Sequence, residues 1–228
     1  MWWYRALHAR VLDALREVRG TVLDAGCGTG GLLAVLAARR PDLRCLGIEW
    51  SAAAARRAAA KSGAAVACGS VDALPLPDGC VDATVAADVL CHAAVDPARA
   101  LAELRRVLRP GGLLVVNMPA FAWLASAHDR AVHNARRVSA AGLRLWLERA
   151  GFASARLRYW NALPLPLMVV QRKLLARGAT ASDVAPFPPW LDATLHGMTR
   201  LEARIEHLAG RGFGWPAGGS VFAVARRT

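Results

Sequence analysis

The sequence predicts an α/β domain built around a largely parallel sheet, and three observations carry that prediction. Residues 21–117 alternate short apolar runs with helical patterns, the order of repeated β-α-β units. Within that stretch VLDAGCGTGG, residues 22–31, joins a strand, a glycine turn and a helix start. The chain has 228 residues, 55 % of them hydrophobic and 20 % charged, enough apolar material to close the core of one ordinary domain.

The strands are expected at 21–25, 44–48, 64–68, 82–87 and 112–117, where β-branched and apolar residues run together between turn signals. Asp96 suits a helix cap, Pro97 the first helical position, and Leu101, Leu104 and Leu108 share a face before Pro110-Gly111-Gly112 ends the helix. A further helix is expected from Ser139 to Ala150, with Leu143, Trp146, Leu147 and Ala150 on one side. FASARLRYW after Gly151 suits a sixth strand and the terminal GSVFAVARR a seventh. Between them, residues 161–217 read as a lid or insertion: apolar NALPLPLMVV, Pro-rich ATASDVAPFPP, then a helix carrying Leu191, Leu195, Met198, Leu201, Ile205 and Leu208. The apolar run beside Arg172, Lys173 and Arg177 is compatible with lying on an anionic membrane or covering a greasy acceptor, and equally with a core helix or a dimer contact.

Composition narrows the function. No apolar run approaches the ~20 residues of a membrane-spanning helix, and MWWYRALHARVLDALREVRG carries charges where a signal peptide has its apolar region, so the expected compartment is the cytoplasm. The five cysteines lack C-x-x-C spacing and suggest neither a disulfide framework nor a zinc site. A net charge of +12 raises nucleic acid as a partner, but Lys61 and Lys173 are the only lysines. An arginine excess in an alanine-rich chain is also what GC-rich coding produces, and nucleic acid is not the favoured partner.

The glycine loop poses the chemical question. Gly26, Gly28 and Gly31 fit the dinucleotide pattern G-x-G-x-x-G, but Asp24 stands just ahead of them. A carboxylate about 5 Å from a phosphate, at an effective dielectric of ~20, repels each unit charge by roughly 3 kcal/mol. A diphosphate is therefore disfavoured, and a ligand with positive charge is favoured. S-adenosyl-L-methionine (SAM), with its sulfonium and amino groups, meets that condition. VLDAGCGTGG resembles the first motif of class I SAM-dependent methyltransferases, and the resemblance extends through GIEWS and GSVDALPLPDGCVDATVAADVLCH over residues 20–118. It implies a Rossmann-like doubly wound seven-stranded sheet in the order 3-2-1-4-5-7-6, last strand antiparallel, with SAM as cofactor. By the same resemblance Asp24, Gly26, Cys27, Gly28 and Asp88 line the cofactor, Glu49 accepts the ribose hydroxyls, Asp72 the adenine amino group, and Trp50 and Ala73 flank the ring. Taken singly, Glu49 as a helix cap, Asp72 in a turn and Cys27 as packing are the bland alternatives.

Methyl transfer is an in-line displacement, so positioning carries much of it and a base is needed only for hydroxyl and carbon acids. ADVLCH after the fourth strand lacks the Asn/Asp-Pro-Pro-Tyr/Phe motif of nucleobase and amide methyltransferases. The layout instead resembles the small-molecule and lipid-modifying branch, the type 11 or type 23 group, pointing to a small organic or lipid-like acceptor and O- or C-methylation. The spacing of His128, Asp129, His133, Arg136 and Arg137, and the N-terminal Trp2-Trp3-Tyr4, are similar to bacterial members of that branch. His92, His128 and Asp129 are the candidate catalytic residues; Tyr4, His133, Arg136 and Arg137 are candidates for the acceptor. Salt bridges and caps that lock a lid are the other reading of the same residues, and no metal site is expected. An RNA methyltransferase and a SAM-binding protein without methyl transfer remain the competing classes.

Overall fold

The computed structural model describes residues 1–126, 129, 131, 133–170, 188–210 and 212–228. Its seven strands are β1 (Gly20–Ala25), β2 (Leu43–Glu49), β3 (Ala65–Cys68), β4 (Val81–Ala87), β5 (Leu108–Pro119), β6 (Phe152–Trp160) and β7 (Ser220–Arg227). They form one sheet in the order β3-β2-β1-β4-β5-β7-β6, as the resemblance implied. β1 to β5 pair in parallel, and β7 runs antiparallel between β5 and β6. The chain winds outward from β1 to β3 and then restarts at β4 beside β1. The crevice at the carboxyl ends of β1 and β4 is thus the switch point where such sheets receive ligands.

Alternation along the strands builds two core layers, because successive side chains leave opposite faces. On one face Val22, Val115 and Phe222 meet Leu7, Val11 and Leu15 of the N-terminal segment and Leu36. On the other Leu23, Leu114 and Val116 meet Leu101, Leu104, Leu143 and Leu147. Leu101 and Leu104 belong to α4 (Pro97–Val107), which Asp96 caps by accepting from the backbone N–H of Ala98 and Arg99. Burying each such leucine stabilises the fold by roughly 1.5–3 kcal/mol, and the cap adds about 1. The remaining helices flanking the sheet are α1 (Trp2–Ala14), α2 (Gly31–Arg39), α3 (Ala52–Ser62) and α5 (Ala140–Arg149).

Two details differ from the sequence reading. The fifth strand starts at Leu108, not at Gly112, because Val81 pairs with Leu108 and Ala83 with Leu113 across a bulge that holds Pro110. A proline has no ladder N–H to give, and a bulge asks for none. The insertion after β6 contains α6 (Leu165–Val170) and α7 (Pro189–Ala209). The face α7 buries carries Leu195, Thr199, Glu202 and Glu206, which leaves Leu201 and Leu208 in solvent. The reason lies on α1: Arg10 reaches Glu202 at 3.1 Å and Glu206 at 2.9 Å, Arg5 pairs with Asp192 at 2.5 Å, and Asp192 also accepts from the Trp2 N–H. Ion pairs, not the leucine stripe, orient this helix.

Candidate functional site

The turn after β1 is held by backbone bonds: the N–H groups of Gly26 and Cys27 both donate to the Ile48 carbonyl, at 2.8 and 3.0 Å. Gly30, at φ +77°, is needed for packing, since a Cβ there would stand 2.6 Å from the Ala58 Cα. Gly28 is different. A Cβ on it meets nothing within 4 Å, so its backbone faces open space where a ligand can approach. Beneath the turn Asp24 is 3 % exposed, and no donor among the described residues bonds its carboxylate. Burial, and then the neighbouring Glu49 charge, push its pKa up to about 7. Burial also pushes the Cys27 thiol up, to about 12, so Cys27 is no nucleophile.

Glu49, at the end of β2, has both oxygens engaged by backbone, from the Gly28 N–H at 2.9 Å and the Ser51 N–H at 3.0 Å. Each oxygen keeps a second lone pair, so the grip on the loop leaves acceptor capacity for hydroxyls. Farther along the rim, Asp72 accepts from the Asp96 N–H at 3.1 Å through Oδ2, while its buried Oδ1 has no partner. Trp50 is 77 % exposed at the same rim, and Ala73 closes the Ser70 turn. A buried carboxylate without a donor, an orphaned acceptor, an open glycine and an exposed indole thus lie along this end of the sheet.

At the end of β4, Asp88 adopts φ +55° and is drawn toward β5 by two bonds: its N–H donates to the Asn117 carbonyl at 3.0 Å, and Asn117 Nδ2 donates to Asp88 Oδ1 at 2.8 Å. Asn117 Oδ1 in turn accepts from Trp160 Nε1 at 2.8 Å. Trp160, fully buried, stacks on Trp3 and lies under the Arg10 guanidinium at 5.1 Å. Burial raises the Asp88 pKa to about 7, against the Asn117 bond and the Arg137 charge, which lower it. The Tyr4 pKa is raised as well, by partial burial and then by the Asp88 charge.

The segment after β5 is a network in its own right. Arg137 donates to Asp129 Oδ1 at 2.7 Å and to the Ala120 carbonyl at 3.0 Å, and the Ser126 N–H donates to Asp129 Oδ2 at 2.8 Å. Both charged side chains are 6 % exposed. Arg136 donates to the His92 carbonyl, and the His133 carbonyl accepts from the Ala93 N–H, so this segment ties down the turn after β4. His133 itself is exposed at φ +57°. His128 lies outside the described residues. The structure thus brings Asp24, Glu49, Asp88 and Tyr4 to one crevice, sets Asp72, Ala73 and Trp50 along its rim, and commits Asp129 and Arg137 to each other.

Three residues of this region went unread in the sequence. His8 sits one helical turn from Tyr4, 6.2 Å between rings, and 3.5 Å from where a Gly31 Cβ would be. Its i,i+4 spacing from Tyr4 was the available signal. Asn117 and Trp160 are far apart in the chain, and no local pattern announces their bond.

Comparison with known proteins bears on this geometry. A family profile described as a methyltransferase domain matches residues 23–116, the strands and turns that make the crevice. Over this stretch the chain is similar to a methyltransferase domain, and its sheet order is that of the methyltransferase fold. It is 33 % identical over 159 residues to the probable S-adenosylmethionine-dependent methyltransferase of Mycolicibacterium smegmatis, covering 66 % of this chain and 59 % of that one. It is 41 % identical over 113 residues to the demethylmenaquinone methyltransferase of Thermus thermophilus, covering 47 % and 51 %. Among solved structures, the geranyl diphosphate C-methyltransferase of Streptomyces coelicolor shares the methyltransferase fold with a TM-score of 0.66 at 19 % identity, over 98 % of this chain and 79 % of that one. The chain spans a little over half the length of these two curated relatives. The Mycolicibacterium smegmatis relative is named as SAM-dependent, and the Streptomyces coelicolor enzyme was solved with S-adenosyl-L-homocysteine; no described helix of this chain is long and apolar enough to cross a membrane.

Proposed function

We propose that the protein transfers the methyl group of SAM to a small organic or lipid-like acceptor, by O- or C-methylation. The observation that carries this is Asp24, a buried carboxylate that no donor bonds, beside a glycine turn open at Gly28. SAM supplies an electrophilic methyl group on a cationic sulfur. In this reading Asp24 and Asp88 hold positive charge, Glu49 accepts the ribose hydroxyls while fixing the Gly28 loop, Asp72 Oδ1 accepts the adenine amino group, and Trp50 and Ala73 cover the ring.

Tyr4 and His8 of α1 close the crevice over the acceptor, with His92 and His133 on its far side. His92 is the candidate to take a proton from a hydroxyl or carbon acid, because the turn that carries it follows β4 directly. Arg136 acts through the His92 carbonyl as a positioning residue, and the Arg137–Asp129 pair holds the segment that excludes water. The acceptor class is supported by two similar proteins, one named for demethylmenaquinone and one for geranyl diphosphate.

The test is incubation with methyl-labelled SAM and separate pools of quinols, prenyl diphosphates, small carboxylic acids and RNA, followed by mass spectrometry. Label in an extractable small molecule, lost in Asp24→Asn, is the expected result. Label in RNA would overturn the acceptor class. Tight SAM binding with no labelled product in any pool would overturn methyl transfer itself and favour a rearrangement or accessory role.

A further inference from the structure

A cleft of about 960 Å³ lies away from the crevice, between α1, α7 and the α1-facing side of β5, β7 and β6. It runs along β7 from Phe222 to Arg226, toward the strand ends opposite the glycine turn. Its lining holds eight arginines against four carboxylates. Those carboxylates are already taken: Arg16 pairs with Asp13 and Glu17, Arg109 with Asp82, and Arg10 with Glu206. Among the described residues Arg156 and Arg200 have no carboxylate partner, and Arg226 donates to the Gly111 carbonyl. Arg156 and Arg158 project from one face of β6, roughly 6–7 Å apart along the strand. A strand face beneath a helix ordinarily carries apolar side chains. Here α7 packs on α1, and the positions opposite it on the edge strand are cations.

A second observation points the same way. His196 of α7 lines the cleft with a buried Nδ1 that has no hydrogen-bond partner, and its pKa is lowered by burial and then by the Arg5 and Arg200 charges. Phe222 is the one Phe, Tyr or Trp among the described lining residues and is 9 % exposed, so the lining carries no exposed Phe, Tyr or Trp platform for stacking the bases of a single strand. A concave cleft also does not match a flat bilayer surface.

We propose that this cleft is a second binding site, taking a small ligand that carries two or more linked phosphates. Arginine forks bind phosphate oxygens in pairs, and linked phosphates supply the multiple charge that Arg156, Arg200 and Arg226 leave uncompensated. The site stands apart from the methyl-transfer crevice and does not depend on the reading of that crevice.

Calorimetric titration of the full chain with inorganic tripolyphosphate tests it, with orthophosphate, oligo-U of increasing length and phosphatidylglycerol vesicles as the other arms. Tripolyphosphate is expected to bind at least about tenfold more tightly than orthophosphate, and the double variant Arg156→Gln/Arg200→Gln to lose about tenfold or more of that affinity. Both positions are exposed, and unchanged S-adenosylhomocysteine binding by the variant reports that the fold is intact. The His196 pKa, followed by NMR, is expected to rise when tripolyphosphate binds. Equal affinity of variant and parent overturns the proposal. So does oligo-U affinity that keeps growing with length, or vesicle binding without tripolyphosphate binding.

Discussion

In the function proposed above, Asp24 is the side chain that selects the ligand class. Buried without a donor, it stays largely protonated below about pH 7, and arriving positive charge favours its ionised form. A cationic ligand binds the ionised form, so SAM affinity is expected to rise about tenfold between pH 6 and pH 8, with proton release on binding at pH 7. Calorimetry in buffers of different ionisation enthalpy reads both effects. Asp24→Asn keeps the shape and removes the charge, and it should weaken SAM binding by about 10- to 100-fold while flattening that pH dependence. Trp160 makes a different point. Trp160→Phe preserves the ring that stacks on Trp3 but leaves Asn117 Oδ1 buried and unpaired, a cost of about 1–3 kcal/mol in urea unfolding. It also frees the amide that bonds Asp88, so the Asp88 pKa should move above about 7.

At the scale of elements, the link between α1 and α7 is the one to break. Arg10 serves Glu202 and Glu206, and Glu202 also accepts from the N–H groups of Ala162 and Leu163, which fixes the exit from β6. Arg10→Met leaves two carboxylates without their cation, one of them fully buried, and should cost about 3–5 kcal/mol. Adding Glu202→Gln should recover part of the loss, because the uncompensated buried charge is then gone; chemical denaturation of the pair and both singles measures it as a double-mutant cycle. By contrast, the leucines of α7 that face solvent tolerate polar replacement, Leu208 at 84 % exposure most of all.

For the whole molecule, the two raised carboxylates set the direction of pH dependence. Asp24 and Asp88 have folded pKa values near 7, far above the ordinary carboxylate range, so the stability they contribute is present at low pH and lost as pH rises through 7. Asp42, held near 2 by Arg40, and Glu103, lowered by Arg106, act only at much lower pH. The ligand-free protein is therefore expected to lose roughly 2–5 °C of Tm between pH 6.5 and pH 8. Saturating SAM should abolish most of that slope, and scanning calorimetry with and without it decides the matter.

Much of this was legible in the chain. The strands of 21–117, the caps at Asp96 and Ser139 and the acidic residue ahead of the glycines are local patterns, and local patterns survive in sequence because period and spacing encode them. The strand order came from resemblance, since periodicity is silent about which strands lie side by side. The sequence by itself determined that a glycine turn with a carboxylate just ahead of it closes a strand-turn-helix unit, because Asp24 and its glycines are contiguous. Only the tertiary structure decided that Asn117 joins Trp160 to Asp88, that α7 turns its glutamates to Arg10, and that Asp129 belongs to Arg137. Those choices pair groups distant in the chain or pit one helix face against another, and burial of charge, which no linear pattern records, settles them.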